Sequence, residues 1–242
     1  MVLLLLSCAG RLAAAQDEVH YLHQGVMPPG AIGNTQLQRG GPLPGYFQPV
    51  EIKAPRGVAV SLAVGNTFDQ PASAPLRVGM LIGQVYRVRV TQIPLAEGRE
   101  IFPTIEIIDR LYTPQGQAKR FAIPIELTEE DLRLAAQGKF VTRVIYVENP
   151  FRALPATESP SGHNWFDVGP GRDPLAAADA LGRPVAILRL GGRLPSADGA
   201  PDADFFFGSP PVVQLPERTK RPVPPARSKS KPTSASKPRE SS

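Results

Sequence analysis

The sequence predicts a mostly β protein built as a single β-sandwich with one or two short helices and disordered ends. Three observations carry this. Apolar residues alternate with period two in run after run between residues 45 and 195. Proline and glycine, 28 and 22 of 242 residues, interrupt the chain too often for long helices. Only two stretches show helix-start signals, and both are short.

Taken in order, residues 16–44 have no sustained period and read as an irregular leader. Short strands follow at "VEIKA" (50–54) and "VAVSLAV" (58–64). "QVYRVRVTQI" (84–93) is the clearest: Tyr86, Val88 and Val90 face one way, while Arg87, Arg89 and Thr91 face a wet side. "TIEIIDRLY" (104–112) and "KRFAIPIEL" (119–127), joined through a Pro-Gln-Gly turn, suggest a hairpin. Pro124 cannot donate to a ladder and assigns the second of these to an edge. A helix begins at Thr128, with Glu129, Glu130 and Asp131 in its first turn and Gly138 as its stop. "KFVTRVIYVE" (139–148) is apolar on both faces, which predicts a central strand. Residues 149–174 are turn-rich, 174–182 suggest a second helix, and "PVAILRLGGRLP" (184–195) a last strand. Residues 196–215 read as a linker holding an apolar island that begins at Phe205.

The formal net charge of +5 is unevenly spread. From Pro216 to Ser242 eight basic residues, among them Arg218, Lys220, Arg221, Arg227, Lys229 and Lys231, face two acids, so this tail carries +6 and residues 1–215 carry −1. Its Pro, Ser and Lys content predicts disorder. A flexible cationic tail attracts polyanions. The near-neutral remainder argues against a nucleic-acid-binding fold, so nucleic acid is not an expected partner. At the other end, "MVLLLLSCAGRLAAA" reads as a signal peptide, 1–15, cleaved before Gln16. "LLSC" offers an alternative, lipidation at Cys8, the only cysteine, which would make a lipoprotein. Both place the protein in the periplasm or cell envelope. Membrane association would then run only through the N-terminal lipid or the basic tail.

"LIGQVYRVRV" (81–90) resembles the tyrosine corner of fibronectin type III domains, with Leu81, Gly83, Tyr86, Val88 and Val90 in the motif positions. The resemblance implies an immunoglobulin-like sandwich in which the Tyr86 hydroxyl bonds back to upstream backbone. The motif lacks the usual proline before the glycine. More broadly, "GYFQPVEI", "FPTIEIIDRLY", "GKFVTRVIYVENP" and "GRPVAILRLGGRLP" resemble an uncharacterised family of exported bacterial proteins, a resemblance that carries no activity or cofactor.

The chemistry-bearing candidates are few. "HNWFDVGPGRDP" places His163, Trp165 and Asp167 in one loop. Trp165 could stack on a sugar while His163 and Asp167 act as base and orienting acid. The favoured reading is instead a packed turn, with Trp165 and Phe166 plugging the end of the sandwich and Asn164 and Asp167 capping turns. Ser159 and Ser161 lie nearby without a nucleophile elbow. His20 and His23 have a metal-compatible spacing but no helical context. Asp198, Asp202 and Asp204 do not match a calcium loop. The acids Glu126, Glu129, Glu130 and Asp131 invite a glycosidase comparison, yet three of them occupy a helix first turn where acids are expected anyway. No cofactor and no metal are expected. The sequence therefore points to a non-enzymatic, envelope-associated structural or protein-binding module, with an envelope protein or an anionic surface polymer or lipid as partner. A carbohydrate-binding or hydrolytic accessory protein using the 159–173 loop is the alternative.

Overall fold

The computed structural model describes residues 28–153, 165, 167–169, 171–191, 193–196 and 202–216. The expected signal segment with Cys8, the first part of the leader with His20 and His23, His163, Asp198 and the basic residues of the tail lie outside them.

The chain runs α1 (Ala31–Gln38), β1 (Phe47–Lys53), β2 (Ala59–Val64), β3 (Thr67–Phe68), β4 (Ala72–Ser73), β5 (Leu76–Leu81), β6 (Val85–Thr91), β7 (Thr104–Ile107), β8 (Ile123–Glu126), α2 (Glu129–Ala136), β9 (Val141–Glu148), α3 (Pro174–Leu181), β10 (Gly182–Leu190), α4 (Ala203–Phe206) and β11 (Val212–Gln214). The protein is mostly β, as the alternation predicts, and its strands form two facing sheets. The smaller is ordered β11-β5-β1-β8; the larger is ordered β3-β2-β6-β7-β10-β9, with β4 also on β2. Pairing is antiparallel except between β1 and β8, which run parallel. Val50, Ile52 and Met80 of the small sheet meet Leu62, Val88 and Ile105 of the large one in a dry core. The Tyr86 hydroxyl accepts from the Leu81 amide at 2.7 Å and donates to the Pro211 carbonyl at 3.1 Å, so it ties β6 to both the preceding corner and the C-terminal segment.

Several expectations change. The 104–127 hairpin is not formed: β7 pairs with β6 and β10, whereas β8 crosses to the other sheet and pairs with β1. Alternation says that Ile123 and Ile125 need a buried face but not which sheet supplies it. Pro124 does lie at a sheet edge, as predicted. Conversely β9 is not central. It is the last strand of the large sheet, and its two apolar faces are explained by the core on one side and α3 and the Ile187 cluster on the other. β5 is not among the expected strands, although Leu76, Val78 and Met80 alternate with Arg77 and Gly79. Arg77 is nevertheless buried, held by Glu51 at 3.5 Å and by the carbonyls of Pro216 and Lys119. The leader is not wholly irregular, because α1 packs there. A Cβ on Gly33 would lie 2.8 Å from the Gly83 Cα, so glycine is what lets this helix press on the β5–β6 turn.

The largest change concerns the outer face of the large sheet, expected to be wet at Arg87. Arg87 is only 4% exposed. Its Nε donates to the Phe205 carbonyl at 2.9 Å and its Nη1 to the Phe102 carbonyl at 2.7 Å, with the guanidinium 4.4 Å from the Phe205 ring centroid. Burial, then repulsion from Arg193, pull its pKa down to about 10, partly offset by Asp202. The cover is the apolar island, in which α4, capped by Asp202 at the Phe205 amide, packs Phe205 and Phe206 against Phe68 and Phe102. The chain then crosses to the small sheet as β11, so residues 202–216 form a strap over one side of the sandwich rather than a linker. Nearer β9, α1 and α3 cover the same face with Ile32 and Leu175 on Ile108 and Ile187. A buried ion pair joins Glu106 and Arg189 beneath them at 2.8 Å, and the Gly33 amide at the start of α1 donates to Glu106 at 3.0 Å. The described residues thus include four α-helices, two more than expected.

Candidate functional site

Strap and helices close the sandwich on one side and across one face. The opposite side is a seam between β8 and β9, the end strands of their sheets. Here lies a half-open groove of about 400 Å³. Its floor is core: Ile123 of β8 and Val185 and Leu188 of β10. One wall is Pro124 and Glu126, and the other is a continuous run of β9 from Arg143 to Glu148. Six consecutive residues line one wall because an edge strand presents its backbone as well as its side chains. Among the described residues β9 has a strand partner on one side only, β10. Ile145 packs on the inner core whereas Val144 packs on the outer cluster, so the alternation of β9 sends Arg143, Ile145 and Val147 towards the groove.

One end of the groove is built on α2. Thr128 caps this helix by accepting from the Asp131 amide at 3.1 Å, as the sequence predicts. The Asp131 side chain is not a solvated first-turn acid but is fully buried. Arg143 reaches it through two bonds, Nη2 to Oδ1 at 2.8 Å and Nε to Oδ2 at 3.3 Å. The guanidinium carbon lies 4.3 Å from the Trp165 ring centroid, and Nη1 lies 3.4 Å from Asp167. Trp165 therefore sits at the groove, 56% exposed, and the Asp167 side chain is 96% exposed.

Two of the three loop residues singled out by sequence, Trp165 and Asp167, thus come together, and what joins them is Arg143, which sequence reasoning passed over. An arginine inside the otherwise apolar "VTRVIYV" is the signal that could have found it, since a charge there needs a partner. Chemically, this end suits binding. Both Asp131 oxygens are engaged by Arg143, which fixes the guanidinium at this end of the groove. On the same wall burial, reinforced by Glu148, raises the Tyr146 pKa and keeps its phenol neutral.

The other acids are dispersed. Glu126 faces Lys53 at 3.3 Å, Glu129 and Glu130 stand exposed in the first turn of α2, and Asp202 and Asp204 belong to α4. Among the described residues no group of three His, Cys, Asp or Glu could hold a metal ion, and no helix is long and apolar enough to cross a membrane.

Fold and site together define a two-sheet β-sandwich closed by a C-terminal strap on one side and open along a groove on the other. The chain matches no protein-family model, and no curated protein or solved structure matches it.

Proposed function

We propose that this is an exported, non-enzymatic envelope protein whose sandwich receives an extended segment of a protein partner along the free edge of β9. The observation that carries the reading is the groove wall itself, in which consecutive residues of an end strand stand over core side chains in a cavity of about 400 Å³. A segment laid there would add a strand to the large sheet, gaining main-chain hydrogen bonds and placing alternate side chains over Ile123, Val185 and Leu188. Long free edges are otherwise a liability, which favours an occupant. Export rests on the leading apolar segment and its small-residue end, with a lipidated Cys8 as the alternative processing. The +6 tail would hold the protein near an anionic polymer or lipid of the envelope.

The test is a photoreactive side chain placed at Val147, on the groove, and at Val64, exposed on β2. In cells making the full chain, a discrete envelope protein should crosslink from 147 and not from 64. Equal crosslinking from both, or none from 147, removes the groove as a strand site. Mass spectrometry of the same material should find a mature start at Gln16 or a lipidated Cys8, and an uncleaved Met1 removes the export premise.

A second reading is favoured by one observation, the half-exposed Trp165 ring backed by Arg143. Such a platform suits a sugar face, as in a carbohydrate-binding accessory protein. Trp165→Ala separates the two: loss of polysaccharide retention with the fold intact supports the sugar, whereas unchanged retention with persistent crosslinking from 147 supports the strand.

A further inference from the structure

The end of the groove away from Trp165 carries a second arginine–aromatic cluster. Val147 of β9 lies opposite Arg183 of β10 in the strand register, and Leu111, which lines the groove, sits between Arg110 and Tyr112. The Tyr112 ring is 66% exposed, with the Arg110 guanidinium 4.4 Å and the Arg183 guanidinium 4.9 Å from its centroid. Arg183 pairs with Asp109 and donates to the Arg110 carbonyl at 3.0 Å. No ion pair reaches Arg110 among the described residues, and its buried Nε has no hydrogen-bond partner. Within the cluster two arginines face one aspartate, Asp109, and Glu148 at the end of β9 pairs with neither arginine among the described residues.

The loop bearing this cluster is held in place. The buried Gln48 accepts from the Leu111 amide at 2.8 Å, and the amides of Ile108 and Asp109 both donate to the Val185 carbonyl, at 2.9 and 3.2 Å. Donors fixed in advance lower the ordering cost of binding an anion. The arginine in excess within the cluster matches a monoanion, and two planar guanidinium forks match a carboxylate. A chain's own C-terminal carboxylate is instead captured by clustered backbone N–H groups, whereas this rim offers side-chain donors.

We infer that the segment received in the groove carries an Asp or Glu side chain whose carboxylate docks on the Arg110–Tyr112–Arg183 cluster. This rests on the strand-receiving reading above and adds the chemistry of what is received. Over the residues from Arg143 to Val147 an extended strand spans roughly 13 Å, so the acid falls at a fixed offset from the side chain that meets the Trp165 end.

The experiment selects displayed random dodecapeptides, flanked at both ends, on the full-length protein. Selection is repeated on Arg110→Gln, Arg110→Lys and Arg183→Gln, with the exposed Arg56→Gln as control. Alternating apolar sequences with an acid at one offset should enrich on the parent, on Arg56→Gln and, more weakly, on Arg110→Lys, and lose the acid on the two other glutamine variants. An enriched peptide remade with Gln for its acid should bind the parent roughly fivefold less tightly, a difference that shrinks at high salt and vanishes on Arg110→Gln. Alternating apolar sequences without an acid, or an acid preference appearing only with a free peptide C-terminus, overturns the inference and leaves the groove reading standing. No enrichment that competes with the crosslink from position 147 overturns both.

Discussion

Tyr86 concentrates several constraints in one hydroxyl. Its ring packs in the core while its oxygen holds the Leu81 amide and the Pro211 carbonyl. Burial raises its pKa from 10.0 to about 12, against a smaller lowering by the Leu81 hydrogen bond. The folded state thus favours the neutral phenol. The stability this contributes is fully present below pH 10.0 and is lost as pH climbs through about 12. Tyr86→Phe should cost about 1 kcal/mol at neutral pH. It should also flatten the fall of stability above pH 10.0 relative to the parent, as read from urea unfolding at several pH values. An identical alkaline slope in both proteins would show that Tyr86 does not titrate with folding.

At the level of elements, the strap is a short helix and a three-residue strand, neither stable alone. It holds because its anchors are tertiary: the fully buried Phe205, the two bonds and ring contact from Arg87, and β11 on β5. Phe205→Ala should therefore cost about 3–5 kcal/mol, typical of a large aromatic removed from a close-packed site. It should also leave Arg87 with only its longer ring contact, to Phe207 at 5.0 Å. Equilibrium denaturation measures the first effect. Faster proteolysis near residues 202–216 than elsewhere reports release of the strap. A change below about 1 kcal/mol would mean that the strap adds little to stability.

For the whole molecule, charge and fold separate along the chain. Residues 1–215 carry −1 and the tail from Pro216 carries +6. The last described link between them is Arg77, which holds the Pro216 carbonyl at 3.0 Å beside β11, on the edge of the small sheet opposite β8. Pro216, the last described residue, thus follows β11 at one edge of the small sheet, whereas the groove lies along β8 at the other. Ending the chain at Pro216 should leave thermal unfolding within about 0.5 kcal/mol of the parent. It should abolish retention on heparin or on anionic vesicles, which in the full chain should weaken steeply with salt. Retention that survives the truncation would place the polyanion site on the sandwich.

How much of this was legible follows from what each feature depends on. Period-two alternation, turn residues and the cap at Thr128 are local, so the mostly β character, the strands around Val60 and Val88, the helices at 129–136 and 174–181 and the edge position of Pro124 could be read from the sequence by itself. So could the segregation of charge into the tail. Sheet assignment could not, because Ile123 and Ile125 need a buried face and either sheet could supply one. Nor could the fate of polar residues: Arg87, Arg77, Asp131, Glu106 and Arg189 look like surface charges, and only tertiary structure brings the carbonyls, rings and opposite charges that let them be buried. The groove belongs to the same class. Its floor and walls come from segments more than sixty residues apart in the sequence, as Ile123 is from Val185 and Leu188, and a seam between two sheets exists only once both edges are in place.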